Sequence, residues 1–252
     1  MTHRETLSLL VHAESGAGKS WLGQTTPAPR LVLDAESGGS RFARRVENGK
    51  AIRPKRVVWD PHSESPPKAG EWETCFVSVK EFDTMRRTYE WLNQGEHPFK
   101  SIVLDSLTEI QDVCKKGIRT GDEVMNERMW GILLDRMTAL VKDFRDLREH
   151  PTAPIEVVLI LSLSADIKGK FQPLVQGQLR DKLPGWMDVL GALSPNVTPE
   201  GEYEGRLLIR PHERFVAKDR THVLKEHYGP VIVNPDVSEM LRVLNEEDEV
   251  NA

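Results

Sequence analysis

Residues 7–20 read Leu-Ser-Leu-Leu-Val-His-Ala-Glu-Ser-Gly-Ala-Gly-Lys-Ser, an apolar run followed directly by a glycine-containing loop. The run at 7–12 is short and aliphatic, which predicts a buried strand. The segment at 13–20 fits the phosphate-loop pattern G-x-x-x-x-G-K-[ST], with Ala13 in place of the first glycine. A strand that leads straight into this pattern predicts an α/β fold with an anion site at the end of its first strand.

Each residue type in this loop has a physical task in binding a phosphate chain. Gly16 and Gly18 allow backbone N–H groups to curl around an anion. Lys19 is placed to reach the β- and γ-phosphates, and the Ser20 hydroxyl is placed to bind Mg²⁺. An ordinary Gly-Ser turn is the alternative, but it seldom lies between an apolar strand and a helix. The predicted nucleotide-binding residues are Ala13, Glu14, Ser15, Gly16, Ala17, Gly18, Lys19, Ser20 and Trp21.

The overall composition excludes several classes of protein. The chain has 252 residues, of which 38% are hydrophobic and 29% charged, and a formal net charge of -5. This balance excludes a uniformly basic nucleic-acid coat. The two cysteines, Cys75 and Cys114, are too few for a disulfide framework or a four-cysteine zinc site. The chain has neither a run of about 18 apolar residues nor a signal peptide, so we expect a cytoplasmic protein.

Further apolar runs alternate with amphipathic helices over the first 165 residues, which predicts a mainly parallel sheet flanked by helices. After Leu183, short apolar segments between Pro and Gly predict antiparallel strands that extend this sheet. We expect a single domain over 1–245 and an acidic, disordered tail over 246–252. The predicted strands lie at 7–12, 31–33, 56–59, 75–79, 101–104 and 155–161, and in the segments WMDVLGAL, GRLLIRPH and RFVAK.

Two carboxylates follow predicted strands, where parallel sheets present their active sites. Asp105 ends the run Ser-Ile-Val-Leu-Asp at 101–105, which predicts the acid that holds Mg²⁺ opposite a phosphate loop. An Asp that caps the next helix is the alternative. Glu36 follows the run at 31–33 and could orient or deprotonate an attacking water. Asp34 is its rival, but Glu36 lies further towards the loop.

The order of these motifs resembles the core of the RecA-type ATPases. The matching stretches are AESGAGKS at 13–20, LVLDAES at 31–37, SIVLDS at 101–106 and VVLILS at 157–162. The resemblance implies a RecA-like P-loop NTPase core that binds ATP and Mg²⁺ and hydrolyses ATP. It implies that Glu36 is the catalytic glutamate, that Lys19 stabilises the phosphates, and that Asp105 with Ser20 holds the metal.

Within that family, the chain is most similar to phage-encoded RecA-like ATPases of single-strand annealing and recombination. The segment QPLVQGQLRDKLPGWMDVL at 172–190 resembles a stretch of those proteins. The resemblance implies single-stranded DNA as a ligand, a homo-oligomer (ring or filament), a single-strand annealing or single-strand-binding protein as partner, and the host cytoplasm as location. Since only about six residues precede the first strand, we expect no N-terminal arm of the kind that links RecA filaments.

Lys218 and Arg220 form a K-x-R pair, which RecA-fold ring and filament ATPases often extend to the γ-phosphate of a neighbouring subunit. Two cations two residues apart on a strand project to the same side, as a phosphate clamp requires. The resemblance therefore implies that this pair is catalytic in trans; two solvated strand-edge cations are the alternative. RecA-like proteins often place a polar sensor after the strand at 155–161, where this chain offers only Ser162 and Ser164.

Two stretches, 115–121 and 166–172, match the loops that face DNA in the RecA core. Both combine cations with glycine, and the second adds an aromatic ring on which a base could stack. Solvated loops are an equal alternative. A denser basic run, Arg41 to Arg56, could line a DNA channel, meet an acidic subunit face, or be a solvated helix face. The predicted DNA-binding residues are Lys115, Lys116, Arg119, Lys168, Lys170 and Phe171.

The sequence leaves two other functions open. One is a DNA-processing motor, or the ATPase of a nuclease, with the same core. The other is a nucleotide-dependent assembly switch that does not bind DNA. All three interpretations share the phosphate loop, and they differ in what ATP hydrolysis is coupled to.

Overall fold

The apolar runs of the sequence pair with one another to form a mixed sheet. The computed structural model describes residues 4–37, 45–47, 50–52, 55–121 and 123–250. The strands are β1 (Leu7–Ala13), β2 (Arg30–Asp34), β3 (Arg45–Glu47), β4 (Lys50–Ile52), β5 (Arg56–Val58), β6 (Thr74–Ser78), β7 (Ser101–Asp105), β8 (Val157–Ile167), β9 (Lys170–Pro173), β10 (Val189–Val197), β11 (Tyr203–Leu208), β12 (Lys218–Asp219) and β13 (Val231–Val233). The helices are α1 (Lys19–Gln24), α2 (Phe82–Leu92), α3 (Leu107–Ile118), α4 (Glu127–Asp146), α5 (Leu179–Trp186), α6 (Val223–Tyr228) and α7 (Val237–Val250).

Strand β1 occupies the centre of this sheet. It lies between β8 and β10 and is parallel to both. Parallel pairing continues outwards from β8 through β7, β2 and β6 to β5. All seven residues of β1 are buried, as is typical of a parallel strand covered on both faces. The predicted α/β fold class is confirmed: a mainly parallel sheet flanked by helices, with antiparallel strands towards the C-terminus.

Alternate residues of β1 enter two different apolar clusters, one on each face of the sheet. Leu10 belongs to the cluster that includes residues of α2, α3, α4 and α5. Leu9 and Val11 belong to the cluster that includes residues of α1, α6 and α7. The central strands are therefore held from both sides. Among the helices in the described residues, none is long and apolar enough to cross a membrane.

Strand β10 differs from its predicted pairing. The segment WMDVLGAL predicts an antiparallel strand, but β10 runs parallel to β1, with Leu9 opposite Val189 and His12 opposite Ala192. Helix α5 lies between β9 and β10 and supplies the crossover connection that a parallel strand needs. The later strands β11, β12 and β13 pair antiparallel, as expected.

Two segments are more regular than their sequences predict. Helix α7 extends to Val250, so the backbone at 246–250 is helical, while 251 and 252 of the predicted tail lie outside the described residues. Arg242 pairs with Glu239 and Glu246, and such pairs one turn apart stabilise a helix. The predicted loop at 166–172 is instead a β-hairpin, in which β8 turns into β9 at Gly169. The assignment of 1–245 to one domain stays a prediction.

Asp188 joins three elements at the amino-terminal edge of the parallel strands. Its Oδ2 accepts hydrogen bonds from the backbone nitrogen of Ser8 at 2.8 Å and from the Ser8 hydroxyl at 2.6 Å. The same oxygen pairs with Nη1 of Arg148 at 2.6 Å. Because these charge-assisted bonds are short and partly buried, they fix the start of β10 beside β1 and the turn that follows α4.

His97 is packed as a neutral aromatic ring. It stacks on Phe99 with 5.8 Å between ring centroids. Neither of its ring nitrogens has a hydrogen-bond partner among the described residues. Burial, together with the nearby His150, lowers the pKa of His97 to about 4. Protonation of this ring therefore opposes folding.

We expect His97→Phe to reduce the acid sensitivity of the fold. The folded-state pKa of His97 lies below its ordinary value of 6.5, so the unfolded chain binds the extra proton and stability falls as the pH drops through this window. The loss at a pH of about 5 should be about 1–2 kcal/mol in the parent protein. Phenylalanine keeps the stacking on Phe99 and should remove the loss. Urea unfolding at pH values of about 7 and 5 measures this loss of stability. The same pH dependence in both proteins would contradict the conclusion that protonation of His97 opposes folding.

Candidate nucleotide site

The phosphate loop lies at the carboxyl-terminal edge of the parallel strands, between β1 and α1. Ala13 is the last residue of β1 and keeps a strand conformation, so alanine is tolerated at the first position of the motif. Gly16 and Gly18 have φ angles of 80° and 94°, which glycine adopts without strain. Residues 14–16 are exposed. The loop is therefore open to a ligand at its outer side.

Lys19 begins α1 and reaches back across the loop. Its Nζ donates hydrogen bonds to the carbonyl oxygens of Glu14 at 2.9 Å and of Ala13 at 3.3 Å. Burial lowers the pKa of the ammonium group, whereas Glu36 and Asp105 raise it. The cation is thus held mainly by neutral carbonyl groups, and a phosphate anion would compensate its charge more fully.

Ser20 and Asp105, the predicted metal-binding pair, are in contact. The Ser20 hydroxyl donates to Oδ2 of Asp105 at 3.1 Å. The other oxygen, Oδ1, is buried and lacks a hydrogen-bond partner within the described chain. Burial and then the nearby Glu36 raise the pKa of Asp105 to about 6, against the hydrogen bond from Ser20. A buried carboxylate with an unused oxygen beside a hydroxyl fits a hard cation such as Mg²⁺.

Glu36 lies at the same edge, beyond the end of β2. Its Oε1 accepts a hydrogen bond from the Ser106 hydroxyl at 2.6 Å, and its side chain is exposed. Asp34 is the last residue of β2 and lies opposite Asp105 in the parallel pairing of β2 with β7. Glu36 therefore extends further from the sheet than Asp34, towards the solvent from which an attacking water would come. The proton-accepting role of Glu36 stays a prediction.

The sequence did not single out the hydroxyl groups that follow Asp105. Ser106 holds Glu36, as described above. The Thr108 hydroxyl lies 3.2 Å from the Ser162 hydroxyl, accepts from the backbone nitrogen of Leu163 at 3.1 Å and donates to the carbonyl of Leu174 at 3.0 Å. The signal was available as the sequence Asp-Ser-Leu-Thr at 105–108, but its contacts depend on tertiary structure.

The two predicted sensor residues connect to different parts of the site. Ser162 is buried and contacts Thr108 in α3, the helix that follows the metal-binding acid. The Ser164 hydroxyl lies 2.9 Å from Nδ1 of His12, in the strand that leads into the phosphate loop. His12 is itself buried, and its Nε2 lies 2.8 Å from the carbonyl oxygen of Val216. Ser162 can therefore couple β8 to the helix that follows Asp105, and Ser164 can couple it to the strand that precedes the loop. Which of them acts as the sensor stays a prediction.

Lys218 and Arg220 are not brought to this cluster. The ammonium of Lys218 donates to the carbonyl of Met187 at 2.7 Å, and burial, followed by the nearby Arg220, lowers its pKa to about 8. The backbone nitrogen of Arg220 bonds to the carbonyl of Asp188 at the amino-terminal edge of the sheet. Arg220 is exposed at that edge, beside a cavity that Arg148 also lines. Any contact of this pair with a phosphate must come from another subunit, so the action in trans stays a prediction.

The predicted DNA-binding residues lie in two segments, the end of α3 and the β8–β9 hairpin. Lys115 bonds to the Gln176 side chain at 3.4 Å, which links the end of α3 to the segment that follows the β8–β9 hairpin. Lys168 and Lys170 are exposed at the tip of that hairpin. Phe171 is half-buried and stacks on Phe215 with 5.3 Å between centroids, so one face of its ring is already covered.

The remaining cations of this prediction differ in their surroundings. Lys116 is exposed on α3, whereas Arg119 is half-buried and donates from Nε to the carbonyl of Glu123 at 2.6 Å. Half of the basic run from Arg41 to Arg56, at 41–44, 48–49 and 53–54, lies outside the described residues. Backbone pairing between β3 and β4 is described within it, together with Lys55, which pairs with Glu71.

A phosphate loop is followed here by a strand-end acid that contacts the serine of the loop, with a second acid at the same edge of the parallel sheet. These are features of P-loop NTPases. The sequence matches the family model described as AAA domain over residues 5–221. The chain therefore belongs to the AAA domain family of P-loop ATPases. No curated protein matches the sequence significantly.

Three solved structures are similar in fold at low sequence identity. An ATPase from the type III secretion system of pathogenic bacteria is 13% identical, with a TM-score of 0.42, over 78% of this chain and 53% of its own. The assembled ATPase EscN from the type III secretion system of enteropathogenic E. coli is 13% identical, with a TM-score of 0.43, over 75% of this chain and 43% of its own. Flagellar accessory protein FlaH from Methanocaldococcus jannaschii is 10% identical, with a TM-score of 0.38, over 91% and 89%. The chain thus spans about half the length of the two secretion ATPases.

We expect Asp105→Asn to stabilise the nucleotide-free protein. The raised pKa of Asp105 means that the folded state holds a proton that the unfolded state has lost, so the carboxylate opposes folding above a pH of about 6 and ceases to do so below a pH of about 4. The neutral amide should increase the free energy of unfolding by about 1–3 kcal/mol at a pH of about 8.

Urea unfolding without metal or nucleotide measures this difference. Asp181→Asn, at a side chain that is 74% exposed, is the matched control and should leave the stability unchanged. Equal or lower stability of the Asp105 variant at the higher pH would mean that neighbouring groups already offset the cost of burying the Asp105 carboxylate in the free protein.

Proposed function

We propose that this chain hydrolyses ATP with Mg²⁺ and couples hydrolysis to single-stranded DNA during phage recombination or annealing. The observation that carries the ATPase part is the meeting of Lys19, Ser20, Asp105 and Glu36 at one edge of the sheet. These four residues come from three separate segments of the sequence. Their combination matches the needs of phosphoryl transfer, which are phosphate positioning, charge neutralisation and an oriented water.

Ser20 and Asp105 are the residues that would hold Mg²⁺. When bound, the cation supplies positive charge that neutralises the phosphate oxygens. Lys19 already lies within the loop, where it can exchange its carbonyl partners for phosphate oxygens. Glu36 accepts a hydrogen bond from Ser106 at 2.6 Å through Oε1, which restricts the carboxylate and leaves its other oxygen free to accept a proton from water in the proposed reaction.

Support for the DNA part comes from different residues. The segment at 172–190 resembles the phage annealing ATPases. Its Gln176 contacts Lys115, so that segment lies beside the cations at the end of α3. Lys168 and Lys170 add two exposed charges on a hairpin. Exposed cations in these two regions suit a nucleic-acid backbone and predict binding that weakens with salt.

An oligomer is part of the proposal. Arg220 is at the opposite sheet edge from its own phosphate loop, so a catalytic Arg220 requires a neighbouring subunit to bring its nucleotide to that edge. The partner proposed for the assembled protein is a single-strand annealing or single-strand-binding protein. A ring and a filament are both compatible with this arrangement.

We expect Glu36→Gln to lower steady-state ATP hydrolysis by about 10²- to 10⁴-fold, because the amide cannot accept a proton. ATP binding should remain, because Glu36 lies outside the phosphate loop. Lys19→Ala should instead abolish binding, since the phosphate-binding cation is lost. Phosphate release and ATP calorimetry separate the two effects.

Glu96→Gln, at an exposed position between α2 and β7, is the matched control and should behave as the parent protein. Retained hydrolysis in the Glu36 variant would transfer the water-orienting role to another acid, with Asp34 the first to test. Retained ATP affinity in the Lys19 variant would remove the assignment of the phosphate loop.

We expect single-stranded DNA to stimulate hydrolysis, and the stimulation to decline between about 50 and 200 mM salt as phosphate contacts are screened. Replacing Lys168 and Lys170 by Glu should reduce the stimulation by about tenfold without changing basal turnover. Lys100→Glu, an exposed charge just before β7, is the matched control. Turnover measured with and without a DNA oligonucleotide checks the prediction.

The outcome also separates the alternatives. Hydrolysis that is indifferent to DNA but accompanied by ATP-dependent oligomerisation would favour an assembly switch. Directional strand displacement would favour a DNA-processing motor. DNA cleavage that persists in Lys19→Ala would indicate a nuclease component.

A further inference from the structure

The hairpin formed by β10 and β11 extends beyond the phosphate loop. Strand β10 is in register with β1 as far as Ala192, opposite His12, and then continues to Val197. The four residues at 194–197 extend about 13 Å past the end of β1, at about 3.3 Å per residue. The chain returns at Tyr203, the cross-strand partner of Val197. The end of this hairpin therefore lies beside the loop at 14–18.

The hairpin end has a defined conformation. The backbone nitrogen of Thr198 bonds to the carbonyl of Glu202 at 2.8 Å, and that of Gly201 bonds to the carbonyl of Thr198 at 2.9 Å. On the adjacent strands, Oε1 of Glu204 accepts a hydrogen bond from the Asn196 amide at 2.9 Å. These bonds order the end of the hairpin that carries Tyr203.

Tyr203 lies on the face of the sheet that carries α1. Leu207, four residues along the same strand, belongs to the apolar cluster shared with Leu22 of α1, and strand residues separated by an even number share a face. The Tyr203 hydroxyl is 3.6 Å from the position that a Cβ atom would take on Gly18. The ring nevertheless stays 58% exposed. An aromatic side chain that touches the phosphate loop yet remains open to solvent is available to a ligand bound there.

The order of the strands decides which end of a nucleotide Tyr203 would meet. Asp105 and Glu36 follow β7 and β2, which lie on one side of β1, beyond β8. The hairpin of β10 and β11 lies on the other side of β1. A phosphate chain whose γ-phosphate is directed to Asp105 and Glu36 therefore leaves its nucleoside on the side of Tyr203.

We propose that Tyr203 contacts the nucleoside end of the bound nucleotide, with its ring packed against the base and its hydroxyl turned towards the phosphate loop. This inference rests on the proposed nucleotide site. It assigns the β10–β11 hairpin as the surface that makes the loop prefer a nucleoside triphosphate to a bare phosphate chain. Stacking of an aromatic ring on a base is tolerant of base identity, so the contact favours nucleotides in general.

The test compares ATP with inorganic tripolyphosphate, each with Mg²⁺, by calorimetry on the full chain. Tyr203→Ala should weaken ATP binding by about tenfold, the loss typical of one base–aromatic contact, and leave tripolyphosphate binding unchanged. Tyr203→Phe keeps the ring and should stay within about threefold of the parent protein for both ligands. Val233→Ala, an exposed apolar residue on the neighbouring strand β13, is the matched control.

Each other outcome contradicts the proposal in a recognisable way. Unchanged affinity of Tyr203→Ala for both ligands would show that Tyr203 does not contact the bound nucleotide. Equal weakening of both ligands would mean that Tyr203 supports the loop and not the nucleoside. Failure of the phosphate site itself would appear separately, as the same affinity in Lys19→Ala and the parent protein for both ligands.

Discussion

The parallel hydrogen-bond register of the central strands determines where each charged residue of the nucleotide site lies. Asp34 is opposite Asp105, and Ala13 is opposite Leu163, so the strands end at the same edge. A shift of one residue would turn Asp105 to the other face of the sheet and exchange the residues of the two apolar clusters. Because β1 and β7 are buried along their whole length, such a shift would also lose packing on both faces. The core therefore fixes the chemistry at its edge.

The same packing supplies stability that the site itself does not provide. Asp105 carries a buried oxygen without a partner in the described residues, and Lys19 is an ammonium held by carbonyl groups. Both are arrangements that oppose folding in the free protein. A ligand that brings a cation to Asp105 and phosphate oxygens to Lys19 would relieve both. The charged groups of the site thus favour the ligand-bound state and lower the stability of the free protein.

The parts of the site that the sequence predicts are those carried by contiguous residues. The loop at 13–20 and the acid at 105 can be predicted because each functional residue directly follows, in the sequence, the strand that positions it. Ser106 and Thr108 were missed because their roles depend on tertiary contacts. Their hydroxyl groups bond to Glu36 and Ser162, which lie in distant segments of the sequence.

The errors in the sequence-based fold have a similar origin. Short apolar segments after Leu183 indicate strands, but their local pattern does not state the direction of pairing, and β10 proved parallel because α5 returns the chain across the sheet. The contact of Phe171 with Phe215 was not predicted, because the two residues are distant in sequence; the stacking of a base on Phe171 stays a prediction. Tyr203 carries no motif, and its place beside Gly18 follows from a hairpin and a strand order that no local pattern contains.

The order of the strands also determines on which side of the phosphate loop each functional residue lies. The acids lie on the β7 and β2 side of the loop, and the β10–β11 hairpin lies on the other side. Arg220 is bonded to Asp188, which lies level with Ser8 of β1. Ser8 is about five residues before the end of β1, a distance of about 17 Å along the strand. An arginine side chain is too short to span that distance and reach a phosphate of its own chain. A trans-acting Arg220 would therefore need a neighbour stacked with its loop towards this edge, whereas a hairpin that grips the nucleoside would work within one chain. In that arrangement, nucleotide binding within one chain and catalysis in trans would depend on opposite edges of the same sheet, so mutations could separate them.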